Sequence, residues 1–370
     1  MKNYILTILI LSIIIPFRAI GQGCMESDSD EGVAVVGYVQ ADYDNYFFDT
    51  DNNGNTLNKP NSFYFKRARI GVMGSIPYDV SYYVMAEFSP IATGNPYLLD
   101  AFITYAPFKK YLKFTIGQFK SPVGLELNTP CHALYTIRRS TVVNNLATPF
   151  RDMQFMLFGS TDSLFGRKDL ISYKISILNG TGLNHWDDNK FKDIAARLVI
   201  SPWEWLKIGG SYRTGKQDIK KTGQVQKTRT RYGADLSFEL KNILFQAEYL
   251  FGEDVGKVAS GGGCGGKSTA VADSLIYSKS GFFVMAGYMT PWNLQPIIKF
   301  ESYNPHVKNE STYKYLYVEQ DFIQTTLTFG LNYFLNDWTR IQVNYLYNAE
   351  ETAADEFPND AIMFQIQAKF

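Results

Sequence analysis

From Val33 to Phe370 the chain repeats one unit, about nine to twelve residues alternating apolar and polar and then a turn. A period of two sends successive side chains to opposite faces, so each unit reads as a strand with one apolar and one polar face. The units fall near 33–48, 62–74, 80–88, 98–106, 112–120, 152–159, 170–179 and 192–201, then near 206–213, 229–239, 243–251, 281–289, 295–303, 322–334, 340–348 and 362–370. That makes sixteen, an even number, each about long enough to cross a bilayer at a tilt. Beyond residue 20 no run of 18 apolar residues occurs, which excludes a bundle of membrane-spanning helices. Aromatic residues make up 15% of the chain, too many for a disordered polymer.

The connectors sort by length. Ser75–Asp79, Pro107–Tyr111, Pro202–Trp205, Leu240–Asn242 and Leu335–Thr339 are short. Asp49–Asn61, Ser121–Arg151, Gly180–Phe191, Thr214–Thr228, Gly252–Ser280, Asn304–Asp321 and Ala349–Ala361 are long. Short turns on one side and long loops on the other is the pattern of outer-membrane barrels. The strand faces agree. Ile362, Phe364, Ile366, Ala368 and Phe370 share one parity, and Met363, Gln365, Gln367 and Lys369 the other. Ile341, Val343, Tyr345 and Tyr347 oppose Gln342 and Asn344, and Ile194, Ala196, Leu198 and Ile200 oppose Arg197. In lipid the apolar set must point outward, and the sheet must close so that every backbone group is paired. Tyr43, Tyr46, Phe47, Trp203, Trp205, Trp292 and Trp338 gather at strand ends, as interfacial girdles do. The expected fold is therefore all-β, a 16-stranded antiparallel transmembrane β-barrel over residues 33–370 without a second domain.

The beginning of the chain reads as an export signal over residues 1–21. Lys2 supplies the charge, Ile5 to Ile15 an apolar core too short to span a bilayer, and Ala19-Ile20-Gly21 the small residues before a cut at Gln22. Residues 22–32 form a short acidic segment. Cys24 follows a poor lipobox, with Gly21 where Leu is expected, so simple cleavage is expected over lipidation. The other cysteines, Cys131 and Cys264, complete a set of three, which is no disulfide framework. His132, His185 and His306 are far apart and no CxxC occurs, so neither a metal nor a cofactor is expected. Lys+Arg and Asp+Glu are 36 each, which argues against a nucleic-acid partner held by global charge.

Several segments resemble the phosphate-selective porin O and P family. Phe65-Lys66-Arg67-Ala68-Arg69-Ile70-Gly71-Val72-Met73-Gly74 looks like its basic second strand. Ile116-Gly117-Gln118-Phe119-Lys120-Ser121-Pro122-Val123-Gly124-Leu125-Glu126 looks like its strand leading into the third loop. Arg138-Arg139-Ser140 and Pro149-Phe150-Arg151-Asp152 look like the return of that loop. The length and the terminal Phe370 fit as well, and a terminal Phe looks like the signal read by the barrel-assembly machinery. The resemblance covers nearly the whole mature chain and is sharpest between residues 62 and 158. It implies a homotrimer of barrels in the bacterial outer membrane, each with its long third loop folded into the lumen. The chain departs from the family in lacking a dense lysine cluster or a regular arginine ladder.

The same parity places basic side chains on the inner wall. If Ala68, Ile70 and Val72 face lipid, Arg67 and Arg69 face the lumen, joined by Lys113, Lys174, Arg197, Lys207, Arg213, Arg229, Arg231 and Lys299. Inward acids are fewer, namely Glu87, Asp100, Asp235, Glu239, Glu248 and Glu301, while Asp187-Asp188 and Glu350-Glu351 sit in long loops. Basic groups along a pore ease the passage of anions and oppose cations. Arg138, Arg139 and Arg151 are the candidates for the constriction. Each lumenal arginine can instead pair with a neighbouring acid, Asp152 beside Arg151 being a ready partner. The expected function is passive diffusion of small hydrophilic solutes, with a mild preference for phosphate-like anions. The rival is a non-conducting barrel that serves as an adhesin or structural anchor.

Two other signals carry little. Gly261-Gly262-Gly263-Cys264-Gly265-Gly266-Lys267-Ser268 matches a phosphate-binding loop, but it lacks the strand before and the helix after that such a loop needs. A barrel hydrolase needs convergent acid, base or Ser–His groups, and three scattered histidines do not supply them.

Overall fold

The computed structural model describes residues 32–47, 61–89, 94–161, 163–217, 227–257, 271–305, 307, 323–351 and 359–370. The export signal, Cys24, Cys264, His306 and the Gly261–Ser268 motif lie outside the described residues.

Strand alternation carries through into structure. The first strands are β1 (Gly32–Tyr46), β2 (Asn61–Ile76), β3 (Val80–Glu87), β4 (Tyr97–Tyr105), β5 (Lys113–Lys120) and β6 (Arg151–Ser160). A two-stranded hairpin, β7 (Ser163–Leu164) with β8 (Arg167–Lys168), lies outside the main sheet. The wall continues with β9 (Ile171–Leu178), β10 (Asp193–Trp203), β11 (Leu206–Gln217), β12 (Lys227–Leu240) and β13 (Ile243–Lys257). It ends with β14 (Val271–Tyr288), β15 (Leu294–Asn304), β16 (Ile323–Phe334), β17 (Thr339–Glu351) and β18 (Ala361–Lys369). Among the described residues, sixteen strands close into one barrel, each antiparallel to its neighbours, with β1 paired to β18. Gly37 and Phe370 exchange two backbone bonds of 2.9 Å at this seam.

Parity holds as the alternation requires. Leu198, Phe329, Phe364 and Ile366 are exposed on the outside, while Arg197, Thr328, Gln365 and Gln367 are buried on the inside. Trp203 and Trp205 stack at 4.9 Å beside the β10–β11 turn, and Trp292 and Trp338 are exposed at two other short turns. The sequence ranges are short at β13 and β14, which reach into the connector read as Gly252–Ser280. A bulge opposite Gln40 and Ala41 adds Lys66 to β2. The bulge flips the parity of the strand. Ile70 and Val72 face out on one side of it, Phe63 and Phe65 on the other, and Tyr64 turns inward.

The 121–150 connector folds into the barrel and supplies much of its core. A short helix, α1 (Thr141–Leu146), lays Val142, Val143 and Leu146 on the inner wall. Leu244 and Leu250 of β13, Phe283 and Met285 of β14, and Ile297 and Tyr303 of β15 receive them. These wall residues point inward yet are apolar, and the loop covers them. Ile137 packs on Leu346, Ala361 and Met363 in a second, smaller cluster.

Candidate functional site

The folded-in loop is held at its base and then tied around the wall. Ser121 N–H donates to the Phe150 carbonyl at 3.0 Å, which closes the two legs. Gly117 and Gly124 explain the glycines of the motif that leads in. A Cβ at Gly117 would lie 2.1 Å from the Ala101 carbonyl oxygen. One at Gly124, whose φ is +67°, would lie 1.8 Å from Glu248 Oε1. Only glycine permits both close approaches. Gly124 N–H then donates to Ser211 Oγ at 3.1 Å, and Glu126 N–H to Glu248 Oε2 at 2.8 Å.

Glu126 is the hub. Its Oε1 accepts from Lys299 Nζ at 2.8 Å, and its Oε2 accepts from Ser140 N–H at 2.7 Å. One carboxylate thus joins the outgoing leg, the returning leg and the β15 wall. Glu301 completes the group, accepting Thr141 N–H at 3.0 Å and lying 3.4 Å from Lys299. Further round, β16–β18 grip the loop backbone through side-chain amides and a guanidinium. Gln342 and Asn332 donate to the Tyr135 carbonyl at 3.1 and 3.0 Å. Arg340 and Gln367 each donate to the His132 carbonyl at 3.1 Å, and Ile137 N–H reaches Asn344 at 2.8 Å.

The three arginines expected at the constriction do different work. Arg138 pairs with Asp44 of β1 and donates to Tyr64 at 2.6 Å. Arg139 braces the loop from within, donating to the carbonyls of Glu126 and Thr129 at 3.1 and 2.7 Å and to Cys131 Sγ at 3.3 Å. Arg151 is the first residue of β6 and binds Asp100 through two bonds of 2.8 and 3.0 Å. Its partner is therefore not Asp152, which instead accepts Gly180 N–H at 2.7 Å. Both side chains lie on the inner side, but Arg151 reaches across to Asp100 of β4 while Asp152 turns to the backbone at Gly180.

Most wall cations are also held by acids. Arg69 pairs with Glu87 at 2.6 Å, Arg197 with Asp235 at 2.5 Å, and Arg231 with Asp254 at 2.5 Å. Arg213 and Arg229 share Asp193, each at 2.8 Å. Lys113 lies over the Phe158 ring at 5.8 Å. Arg67 donates to Gln40 at 2.8 Å. Among the described residues, Arg67, Lys174 and Lys207 have no carboxylate partner, and Lys207 is exposed. Sequence reading missed Asp42, Asp44, Asp193 and Glu126. The first three share the parity of inward neighbours and were open to the same reasoning. Glu126 closes the segment that resembles the family's lead into the third loop, but a loop without periodicity gave no sign of where its carboxylate would point.

Two loop groups are shifted by these surroundings. Burial works to raise the Cys131 thiol, but Arg139, Arg67, Arg69 and Lys120 draw it well below its ordinary value. Burial, with help from Lys369, Lys120 and Arg340 and against Cys131, pushes the His132 imidazole down to about 4. Its ring packs edge-on to Tyr38 at 5.1 Å and its Nδ1 has no partner, so the seat accepts the neutral form. A displaced, solvated His would titrate near 6.5. Between those values the displaced loop binds more protons than the seated one. Seating therefore weakens as pH falls from about 6.5 to about 4, by roughly 2–3 kcal/mol. Single-channel recordings across that window are expected to show rising loop noise, flattened in His132→Gln. Identical pH profiles in the two proteins would count against the assignment.

Solved structures with the same architecture include a porin, an outer membrane channel and an outer membrane protein. The anion-selective porin of Comamonas acidovorans superposes with a TM-score of 0.66 at 10% identity, covering 92% of this chain and 100% of that one. The outer membrane channel DcaP of Acinetobacter baumannii gives 0.66 at 15% identity, covering 94% and 99%. OmpT of Vibrio cholerae, an outer membrane protein in its trimer form, gives 0.60 at 12% identity, covering 92% and 100%. No curated protein matches the chain by sequence at a significant level. The family model described as phosphate-selective porin O and P does match, over residues 33–260, which takes in β1 to β13 and the whole folded-in loop. With more than half its length in that match, and the closed lipid-facing barrel to accompany it, the chain belongs to the phosphate-selective porin O and P family and forms a passive diffusion channel in the bacterial outer membrane.

Proposed function

We propose that this channel passes small hydrophilic solutes with a mild preference for anions, phosphate-like ones among them, and performs no chemistry on them. The observation that carries the reading is the residue of charge left on the lumenal wall. Six of the ten predicted wall cations are neutralised by acids, whereas Arg67, Lys174 and Lys207 keep their charge without a carboxylate among the described residues. A few uncompensated cations lower the barrier to anions modestly and do not trap them. The anion selectivity named for the Comamonas acidovorans porin supports the reading. The trimer form of Vibrio cholerae OmpT supports assembly as a homotrimer, in contact with outer-membrane lipid. Phe370, half exposed beside the closing seam, is the residue we assign to recognition by the barrel-assembly machinery.

Lys174→Glu with Lys207→Glu tests the charge reading. In planar bilayers under a KCl gradient, the double variant is expected to lower the anion-to-cation permeability ratio by about twofold or more. An unchanged reversal potential would remove these lysines from selectivity. Absence of any open step from the folded wild type would favour the adhesin or anchor reading instead.

A further inference from the structure

On the long-loop side of the folded-in loop lies a recess of about 290 Å³ between α1 and the inner faces of β1 and β15–β18. That volume is at the small end for ligand sites. Its charges are already spent on the protein. Arg138 is matched by Asp44, and Lys299 by Glu126 and Glu301. Arg139 directs its donors to two loop carbonyls and the Cys131 sulfur. Among the described residues, each cation lining the recess is held by the protein itself.

What the recess offers is neutral. Among the described residues the side-chain hydroxyls of Thr141 and Thr328 make no hydrogen bond, and Asn144, which is exposed, uses only its Nδ2, on the Arg139 carbonyl at 3.2 Å. Its Oδ1 remains an acceptor. Chloride brings no proton to such an oxygen, and phosphate brings its proton with a negative charge that the paired cations of the recess do not balance, whereas a neutral hydroxyl both donates and accepts. Tyr46, Leu346 and Met363 form an apolar surface in the same recess. An apolar face with several hydroxyl- and amide-type partners matches a compact polyol, which has C–H faces and a rim of hydroxyls.

We infer that this recess is a binding subsite for a neutral, monosaccharide-sized polyhydroxylated solute, lying on the entry side of the constriction. The inference rests on the channel reading and names a solute class for the same lumen. Anions follow the uncompensated wall cations, whereas sugars pause at the recess.

The test is current reduction by D-glucose added to the long-loop side of the full-length protein in planar bilayers at constant KCl. The wild type is expected to show saturation with glucose concentration. Thr328→Val, which removes one hydroxyl at nearly constant shape, is expected to raise the half-saturation concentration about fivefold. Thr328→Ser, which keeps the hydroxyl, is expected to restore it. Inorganic phosphate is expected to leave the glucose curve in place. A reduction that only tracks bulk conductivity, an equal curve in Thr328→Val, or displacement of glucose by phosphate would each overturn the inference while leaving the channel reading intact. A folded protein that passes no current would overturn the channel reading itself.

Discussion

Glu126→Ala is expected to unseat the folded-in loop. The substitution removes the carboxylate that joins Lys299 to Ser140 N–H, and it leaves a lysine that is 1% exposed with Glu301 at 3.4 Å as its acid and the Phe283 ring at 4.9 Å. Breaking a buried pair from one side costs about 3–5 kcal/mol, because the remaining charge stays desolvated. The Glu126 backbone tie to Glu248 and the apolar contacts of α1 persist, so the barrel itself is expected to stay closed. The readouts are single-channel current and protease cleavage within 121–150. Larger, noisier openings and new cleavage are the expected result. Glu126→Gln keeps an acceptor for Ser140 and loses only the charge, so its effect should be intermediate. Unchanged current and unchanged cleavage in Glu126→Ala would show that the hub is dispensable.

Phe364→Arg is expected to destabilise the barrel in lipid, whereas Gln365→Arg is expected to be tolerated. The two residues are neighbours on β18, yet Phe364 is 39% exposed to the lipid side and Gln365 is 2% exposed on the inner side. Arginine on the lipid face near the bilayer midplane costs about 2–4 kcal/mol. On the inner side Gln365 already donates to Asp42 Oδ1 at 2.8 Å, and Asp42 Oδ2 has no partner. A guanidinium there meets an acid in need of one. Urea unfolding in lipid vesicles measures both. Equal losses, or a larger loss at position 365, would contradict the assignment of the two faces.

Much of this was legible from residue order because a strand in lipid obeys a two-residue rule at every position. Ile362 to Phe370 and Ile194 to Ile200 announce their outward and inward sets, and the structure places them so. Arg67, Arg69, Arg197 and Arg213 face the interior for the same reason. Partner choice was less legible. Arg151 takes Asp100 and not the adjacent Asp152, because pairing is set by cross-strand register and bulges. The Lys66 bulge has no marker in composition, and it turns Tyr64 inward to meet Asp44 and Arg138.

The order of residues alone determined the barrel. Sixteen alternating segments with short and long connectors leave a lipid-exposed closed sheet as the way to pair every backbone group. What lies inside the barrel belongs to tertiary structure. A loop without periodicity covers Phe283, Met285 and Ile297 and brings Glu126 to Lys299, 173 residues away. Periodicity reports which side of a wall a residue faces, since that depends on its nearest neighbours along the strand. Distances across a lumen depend on the closure of the whole sheet and the path of the loop within it, and no local pattern encodes them.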